Sequence, residues 1–223
     1  IFESTAAILL FNTIKKSNPK AKFVYRVSDS LDILKVHPSV IEYEREITPS
    51  FDLISVPSKP LLLRFPDGNT SLQHHGINKM AFSQSHKKPL IFNKFQKNIV
   101  FVGNSFIDQN FVIIASELFS QIGFHLIGPI SLDFSCENII LHGEMPFVDT
   151  VPFIFYADVG LQIRRMEVGL ETLSDSLKIL QYTWCRLPII APFGINSSRN
   201  HILNYYYDNH ESIRDVINAA LIF

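Results

Sequence analysis

The 223-residue sequence contains only two cysteines, Cys136 and Cys185. They make no metal-binding or redox spacing, so a thiolate metal centre is not expected, and both read as small buried hydrophobes of a reducing compartment. Charge of one sign is also missing: 20 basic side chains face 21 acidic ones, a net charge of -1. That balance argues against a nucleic-acid-binding protein, which carries a basic surplus. No apolar run approaches the roughly 18–20 residues that span a bilayer, and no signal peptide is visible. The chain starts at Ile1 without an initiator Met, inside a helical pattern from Ser4 to Lys16. It therefore reads as a fragment or a processed chain, in which missing targeting signals say little about the intact protein. A P-loop, a G-x-G-x-x-G fingerprint and a nucleophile elbow are all absent, which disfavours a dinucleotide dehydrogenase. His74 and His75 are adjacent but lack a third ligand at metal spacing, so no metal site is expected.

What is present is a large apolar fraction, 47% of residues, enough for a sizeable core. Apolar runs alternate with helical patterns, the signature of α/β units around parallel sheets. In the first series, "KFVYRVSD", "FDLISVPS" and "SLQHHGIN" read as strands, and "HPSVIEYEREI" reads as a helix with Pro38 near its start. Three strands are few for a doubly wound domain, so residues 1–80 are expected to be a partial N-terminal domain. Residues 81–97, aperiodic and lysine-containing, read as an interdomain linker. Residues 98–223 then hold five βα units, the size of one doubly wound domain. The tetrapeptide Ser-Asp-Ser-Leu occurs at 28–31 and 174–177, similar local chemistry at two strand-to-helix turns without a wider repeat.

"SDSLKILQYTWC" carries the most chemical information. Ser174 or Asp175 can cap the helix that follows. Leu177, Leu180 and Trp184 are spaced as a buried stripe, with Lys178, Gln181 and Tyr182 on the neighbouring face. In doubly wound folds this helix start lies beyond the carboxyl ends of the strands, where ligands bind. Backbone amides, helix dipole and Lys178 would converge there on one anionic group, such as a diphosphate. On the residues alone, a surface lysine on a packed helix is the simpler reading.

A family resemblance shifts that balance. Gly143, Tyr156-Ala157-Asp158-Val159, Lys178, Gln181-Tyr182 and Pro188 resemble the donor-binding half of sugar-nucleotide glycosyltransferases of the GT-B fold. The resemblance is marked over residues 97–195. It is closer still to the xanthan-assembly glucuronosyltransferase family, through Glu144-Met145, Lys178 with Gln181, and Asp29 after a strand of the other domain. Two positions depart from the wider pattern: Gln181 stands where glutamate is common, and Arg186 replaces a turn glycine.

The resemblance implies an α/β protein with two facing Rossmann-like domains. It implies an inverting, metal-independent enzyme that moves a sugar, plausibly glucuronic acid, from a UDP-sugar to a glycan or lipid-linked acceptor. No cofactor is expected beyond the UDP-sugar itself. Lys178 would neutralise the diphosphate, helped by the amides of Ser176 and Leu177. Gln181 would contact the ribose, and Glu144 with the Met145 backbone would read the nucleoside. Asn104 and Ser105 would let phosphate or sugar approach the first strand of the domain, with Arg164 nearby. Asp29 would be the general base; capping a helix from Ser30 is its other reading, and Asp32 is its neighbouring competitor. "HHGI" (His74 to Ile77) would line the cleft. The expected location is cytoplasmic, with peripheral contact at the inner face of the membrane left open. A sugar-nucleotide epimerase of the same fold and a non-catalytic nucleotide-sugar-binding subunit are the alternatives.

Overall fold

The computed structural model describes every residue except Lys35, Asn104, Ser105, Met166, Glu167, Val168, Asn196 and Ser197. It divides into two compact units, Ile1–His75 with Glu167–Asp175, and Gly76–Met166 with Ser176–Phe223.

The first unit is a four-stranded parallel sheet in the order β1 (Phe2–Glu3), β2 (Val24–Arg26), β3 (Leu53–Val56) and β4 (Thr70–Leu72). The helical pattern at the chain start is a 3-10 turn, Ala6–Leu10, running into α1 (Phe11–Ser17). Thr5 caps it, its hydroxyl accepting from the Ala7 amide. α2 spans Pro38–Ile47. Proline suits that first position because the amide it lacks would have no partner there. A short α3 (Lys59–Leu62) follows β3. The core is aromatic: Phe2, Phe11, Phe23, Tyr25 and Phe51 pack with ring centroids 4.5–6.3 Å apart. β1 escapes a reading by periodicity because two residues cannot show alternation; its pairing with Tyr25 and Arg26 makes it a strand.

The second unit is a six-stranded parallel sheet of β5 (Lys97–Val102), β6 (Ile122–Ile127), β7 (Ile139–Gly143), β8 (Val159–Leu161), β9 (Ile189–Pro192) and β10 (Ile202–Tyr205). Their spatial order is β10-β9-β8-β5-β6-β7. The order runs one way from β5 and the other way from β8, so the switch point lies between these two central strands. The unit's helices are α4 (Lys79–Ser83), α5 (Gln109–Leu118), α6 (Phe147–Tyr156), α7 (Leu177–Trp184) and α8 (His210–Ile222). Asp108 caps α5 through the Phe111 amide. Its other oxygen accepts from the Tyr205 hydroxyl at 2.8 Å, which fixes α5 to β10. Ile99, Phe101, Val159, Leu161 and Ile163 join α5 and α8 in one apolar core. Burial of this kind stabilises by about 25 cal/mol per Å² of apolar surface.

Several expectations change here. Residues 81–97 contain the end of α4 and a 3-10 turn, Leu90–Lys94, whose Phe92 is fully buried. β10 was not anticipated; it pairs with β9 from Ile202↔Ile189 to Tyr205↔Pro192. Both cysteines are free and half-buried rather than buried. Arg186 takes the left-handed conformation, φ +59°. It ends α7 in a Schellman motif, with Leu187 N–H on the Tyr182 carbonyl and Arg186 N–H on Thr183, each at 3.0 Å. That is a position that favours glycine.

Candidate donor site and a separate candidate base

α7 is held to the sheet by its inner face. Ile179 and Tyr182 are fully buried, whereas Leu177 and Trp184 are nearly half exposed. The stripe read from Leu177, Leu180 and Trp184 is therefore corrected. The reason lies in β8: a Cβ at Gly160 would fall 2.5 Å from the Tyr182 ring, so only glycine there lets the ring reach the sheet. The Tyr182 hydroxyl then accepts from the Val102 amide at 3.2 Å, tying α7 to the end of β5.

This docking aims the start of α7 at the switch point. Lys178 extends its ammonium to 4.7 Å from the Phe101 ring centroid. A Cβ at Gly103, just past the end of β5, would lie 2.8 Å from Lys178 Nζ. Gly103 is thus the seat of the ammonium and Phe101 is its floor. Burial, with Arg164 as a second like charge, lowers the Lys178 pKa to about 7. Among the described residues no carboxylate forms an ion pair with Lys178. Two cations brought together without a paired acid at the lysine suit an anionic ligand.

Ser176 occupies the N-cap position of α7, yet its hydroxyl caps nothing, and its Oγ is buried without a hydrogen-bond partner. A helix start that its own N-cap side chain leaves uncapped suits an anionic acceptor. Arg164 lies past β8, bridged to Ile107, with its guanidinium over the Phe106 ring at 5.2 Å and its carbonyl accepting from Tyr207 at 2.6 Å. Next to it, Arg165 is clamped by Asp208 at 2.8 and 2.5 Å. That clamp raises its pKa and holds the neighbouring Arg164 backbone.

Ser176, Leu177, Lys178 and Arg164 are therefore gathered at the carboxyl edge of the sheet. Gln181 is half-buried on α7, one turn along from Leu177. Glu144 and Met145 follow β7 at the same edge, with Glu144 exposed; β6 stands between β7 and β5. Gly143 before them has φ +71°. Asn104 and Ser105 lie outside the described residues. Sequence reasoning missed Phe101, Gly103 and Gln162. Gln162 follows β8, is fully buried, and neither end of its carboxamide has a hydrogen-bond partner among the described residues. Such a buried amide costs roughly 1–3 kcal/mol.

Asp29 belongs to the first unit, after β2. Its amide donates to Ser4 Oγ at 3.2 Å. Among the described residues no helix starts at Ser30: Leu31 to Leu34 form a turn, with Ile33 and Leu34 N–H on the Ser30 carbonyl. The helix-cap reading of Asp29 is thereby overturned. The competitor Asp32 is committed elsewhere, to Arg64 at 2.5 Å and the Ser30 hydroxyl at 3.1 Å. Burial raises the Asp32 pKa, but Arg64 outweighs it and leaves the group below its ordinary value. His74 donates from Nδ1 to the Pro57 carbonyl at 3.0 Å. His75 is lowered by burial, while the charges of Asp29 and Asp175 oppose that shift. Asp29 and His75 thus share the carboxyl edge of the first sheet. No group of three or more His, Cys, Asp or Glu that could hold a metal occurs among the described residues.

Similarity to known proteins agrees with this geometry. Residues 1–57 match the family described as glucuronosyltransferase GumK, N-terminal domain. Over 99% of its length the chain is 30% identical to the UDP-glucuronate:glycolipid 2-beta-glucuronosyltransferase of Xanthomonas campestris pv. campestris. Along nearly its whole length, then, the chain is similar to a curated glucuronosyltransferase. It spans 56% of the curated relative it matches. Among solved structures, Anabaena HepE in complex with UDP superposes with a TM-score of 0.73 at 14% identity, covering 100% of this chain and 68% of that one. Sucrose-phosphate synthase from Thermosynechococcus elongatus gives 0.61 at 13%, covering 93% and 61%. At these identities the likeness is one of fold, an α/β chain built on parallel sheets like its GT-B neighbours.

Proposed function

We propose that this chain belongs to an inverting glycosyltransferase that moves glucuronic acid from a UDP donor to a glycolipid acceptor. The observation that carries the reading is the buried Lys178 ammonium, seated on Gly103 beside Arg164 at the switch point, with no carboxylate ion-paired to it among the described residues. The named relative supports the choice of sugar and acceptor, and the UDP complex of HepE supports the choice of nucleotide.

The chemistry follows from charge. In an inverting transfer the acceptor hydroxyl attacks the anomeric carbon while the bond from that carbon to the diphosphate oxygen breaks. The departing UDP carries the electron pair. Lys178, the Ser176 and Leu177 region and the first amides of α7 neutralise it, an electrostatic stabilisation arranged in advance. Asp29 takes the acceptor proton. Gln181 holds the ribose, Glu144 and Met145 the base, and Arg164 adds positive charge at the phosphates. Asn104 and Ser105 complete the phosphate approach. A glycolipid acceptor brings the whole protein to the inner membrane surface as a peripheral partner; among the described residues no helix is long and apolar enough to cross a membrane.

Calorimetric titration tests the donor site. UDP should bind, and Lys178→Ala should weaken UDP far more than free uridine. Equal loss for both removes Lys178 from the diphosphate. EDTA should leave UDP affinity unchanged, and a loss restored by Mg²⁺ or Mn²⁺ would refute the metal-independent scheme. With the complete enzyme, radiolabel from UDP-glucuronic acid should appear in a glycolipid acceptor.

A further inference from the structure

The buried carboxamide of Gln162 has no role in the scheme above. Its position can be read from register. Along β8 and the residues that continue it, where the Gln162 amide still donates to the Ile190 carbonyl at 2.9 Å, Val159, Leu161 and Ile163 face the core with α5 and α8. Gly160 faces the other layer, under the Tyr182 ring of α7. Strand alternation puts Gln162 on that same α7 side, two residues nearer the carboxyl edge, about 6.6 Å along the strand. α7 runs back against the strand that precedes it, as the helix of a parallel crossover does. Lys178 precedes Tyr182 by four residues, about 6 Å along the helix. Since Tyr182 is level with Gly160, Lys178 is level with Gln162. Ser176, with its own unpartnered buried Oγ, lies at the same helix start.

We propose that Gln162 is a further donor-site residue, whose Nε2 donates to a non-bridging oxygen of the nucleotide diphosphate that Lys178 neutralises. Oε1 then accepts one of the three ammonium N–H groups and orients the lysine towards the phosphate. Both ends of the buried carboxamide gain a partner in this arrangement. A purely structural glutamine in the same place would be bonded to the backbone around it. The proposal rests on the donor-site reading of Lys178 and extends it to a residue outside α7.

The test is calorimetry on the full chain with UDP, UMP and uridine, comparing Gln162→Met, Lys178→Ala and the unaltered protein. Methionine matches glutamine in length but cannot donate. Gln162→Met should weaken UDP by about 10- to 100-fold, the loss of a hydrogen bond to a charged group, and leave uridine unchanged. Its melting temperature without ligand should stay level or rise, because an unsatisfied amide has been removed. Unchanged UDP affinity in Gln162→Met alongside a large loss in Lys178→Ala overturns the Gln162 role while the donor site stands. Unchanged affinity in both variants refutes the donor site and the Gln162 role together. Should the methionine variant not fold, the unaltered protein decides by NMR. One glutamine side-chain NH2 pair should shift with UDP but not with uridine, which separates it from Gln181 at the ribose. No such pair overturns the proposal.

Discussion

On the proposed donor-site reading, Lys178 should make UDP binding a titration. Its pKa near 7 in the free protein reflects burial first and Arg164 second. A bound diphosphate reverses both influences, so the complex favours the protonated amine and binding takes up a proton wherever the free lysine is neutral. Near pH 7 about half a proton should enter per UDP, and at pH 9 nearly one. The free ammonium fraction at pH 9 is about 1%, so UDP should bind about 100-fold more weakly than at the acid limit, roughly 2.7 kcal/mol. Below about pH 6 the terminal phosphate protonates and affinity should fall again. Titrations in buffers of different ionisation enthalpy measure the uptake directly. Lys178→Met should abolish the slope above pH 7, and uridine should show none. The same burial acts on stability. The folded pKa lies below the unfolded one, so the folded state is disfavoured below pH 7 and this cost fades as pH rises towards 10.5. Lys178→Met should therefore be more stable than the parent without ligand at pH 6, by at most roughly 5 kcal/mol. A flat affinity between pH 6 and 9 with no proton uptake, or an equal slope in the methionine variant, would refute the reasoning.

Asp29→Asn in the complete enzyme should lower transfer by about 10²- to 10⁴-fold with UDP affinity and melting temperature little changed. With no helix for Asp29 to cap, near-normal transfer would remove it as base. His125 is fully buried between Asn98 at 2.9 Å and His142 at 3.0 Å, and burial pushes its pKa down to about 3. Its folded pKa lies below the unfolded 6.5, so its contribution is complete above pH 6.5 and is lost as pH falls from 6.5 towards 3. The slope should approach about 1.4 kcal/mol per pH unit, read by denaturant titration at several pH values. His125→Leu should flatten that slope, and an unchanged one would refute the assignment. Arg186→Gly should stabilise by up to about 1.5 kcal/mol: it relieves roughly 1–2 kcal/mol of left-handed strain against roughly 0.5–1 of glycine entropy. A lower melting temperature in this variant would show that the Arg186 side chain makes a contact that outweighs the strain.

Much of the second unit is legible in the chain because its signals are local. Apolar runs alternate with helical spacing, and a lysine sits in the first turn after Ser176. Arg186 marks a turn that wants glycine, and its φ of +59° is the physical form of that departure. Pro38 marks the start of a helix for an equally local reason, its missing amide. What needed the tertiary structure depends on neighbours distant in the chain. Spacing alone offers α7 several faces, and Gly160 on another strand selects the one with Ile179 and Tyr182. β1 and β10 exist through pairing with β2 and β9, which residues 2–3 and 202–205 do not announce. Gly103 becomes the seat of a lysine 75 residues away only once β5 and β8 meet at the switch point. Gln162 looks like any polar residue after a strand; only the tertiary structure buries it fully with its carboxamide unbonded among the described residues. Periodicity reports how a segment meets its own neighbours, whereas a binding site is made where segments far apart in the chain converge.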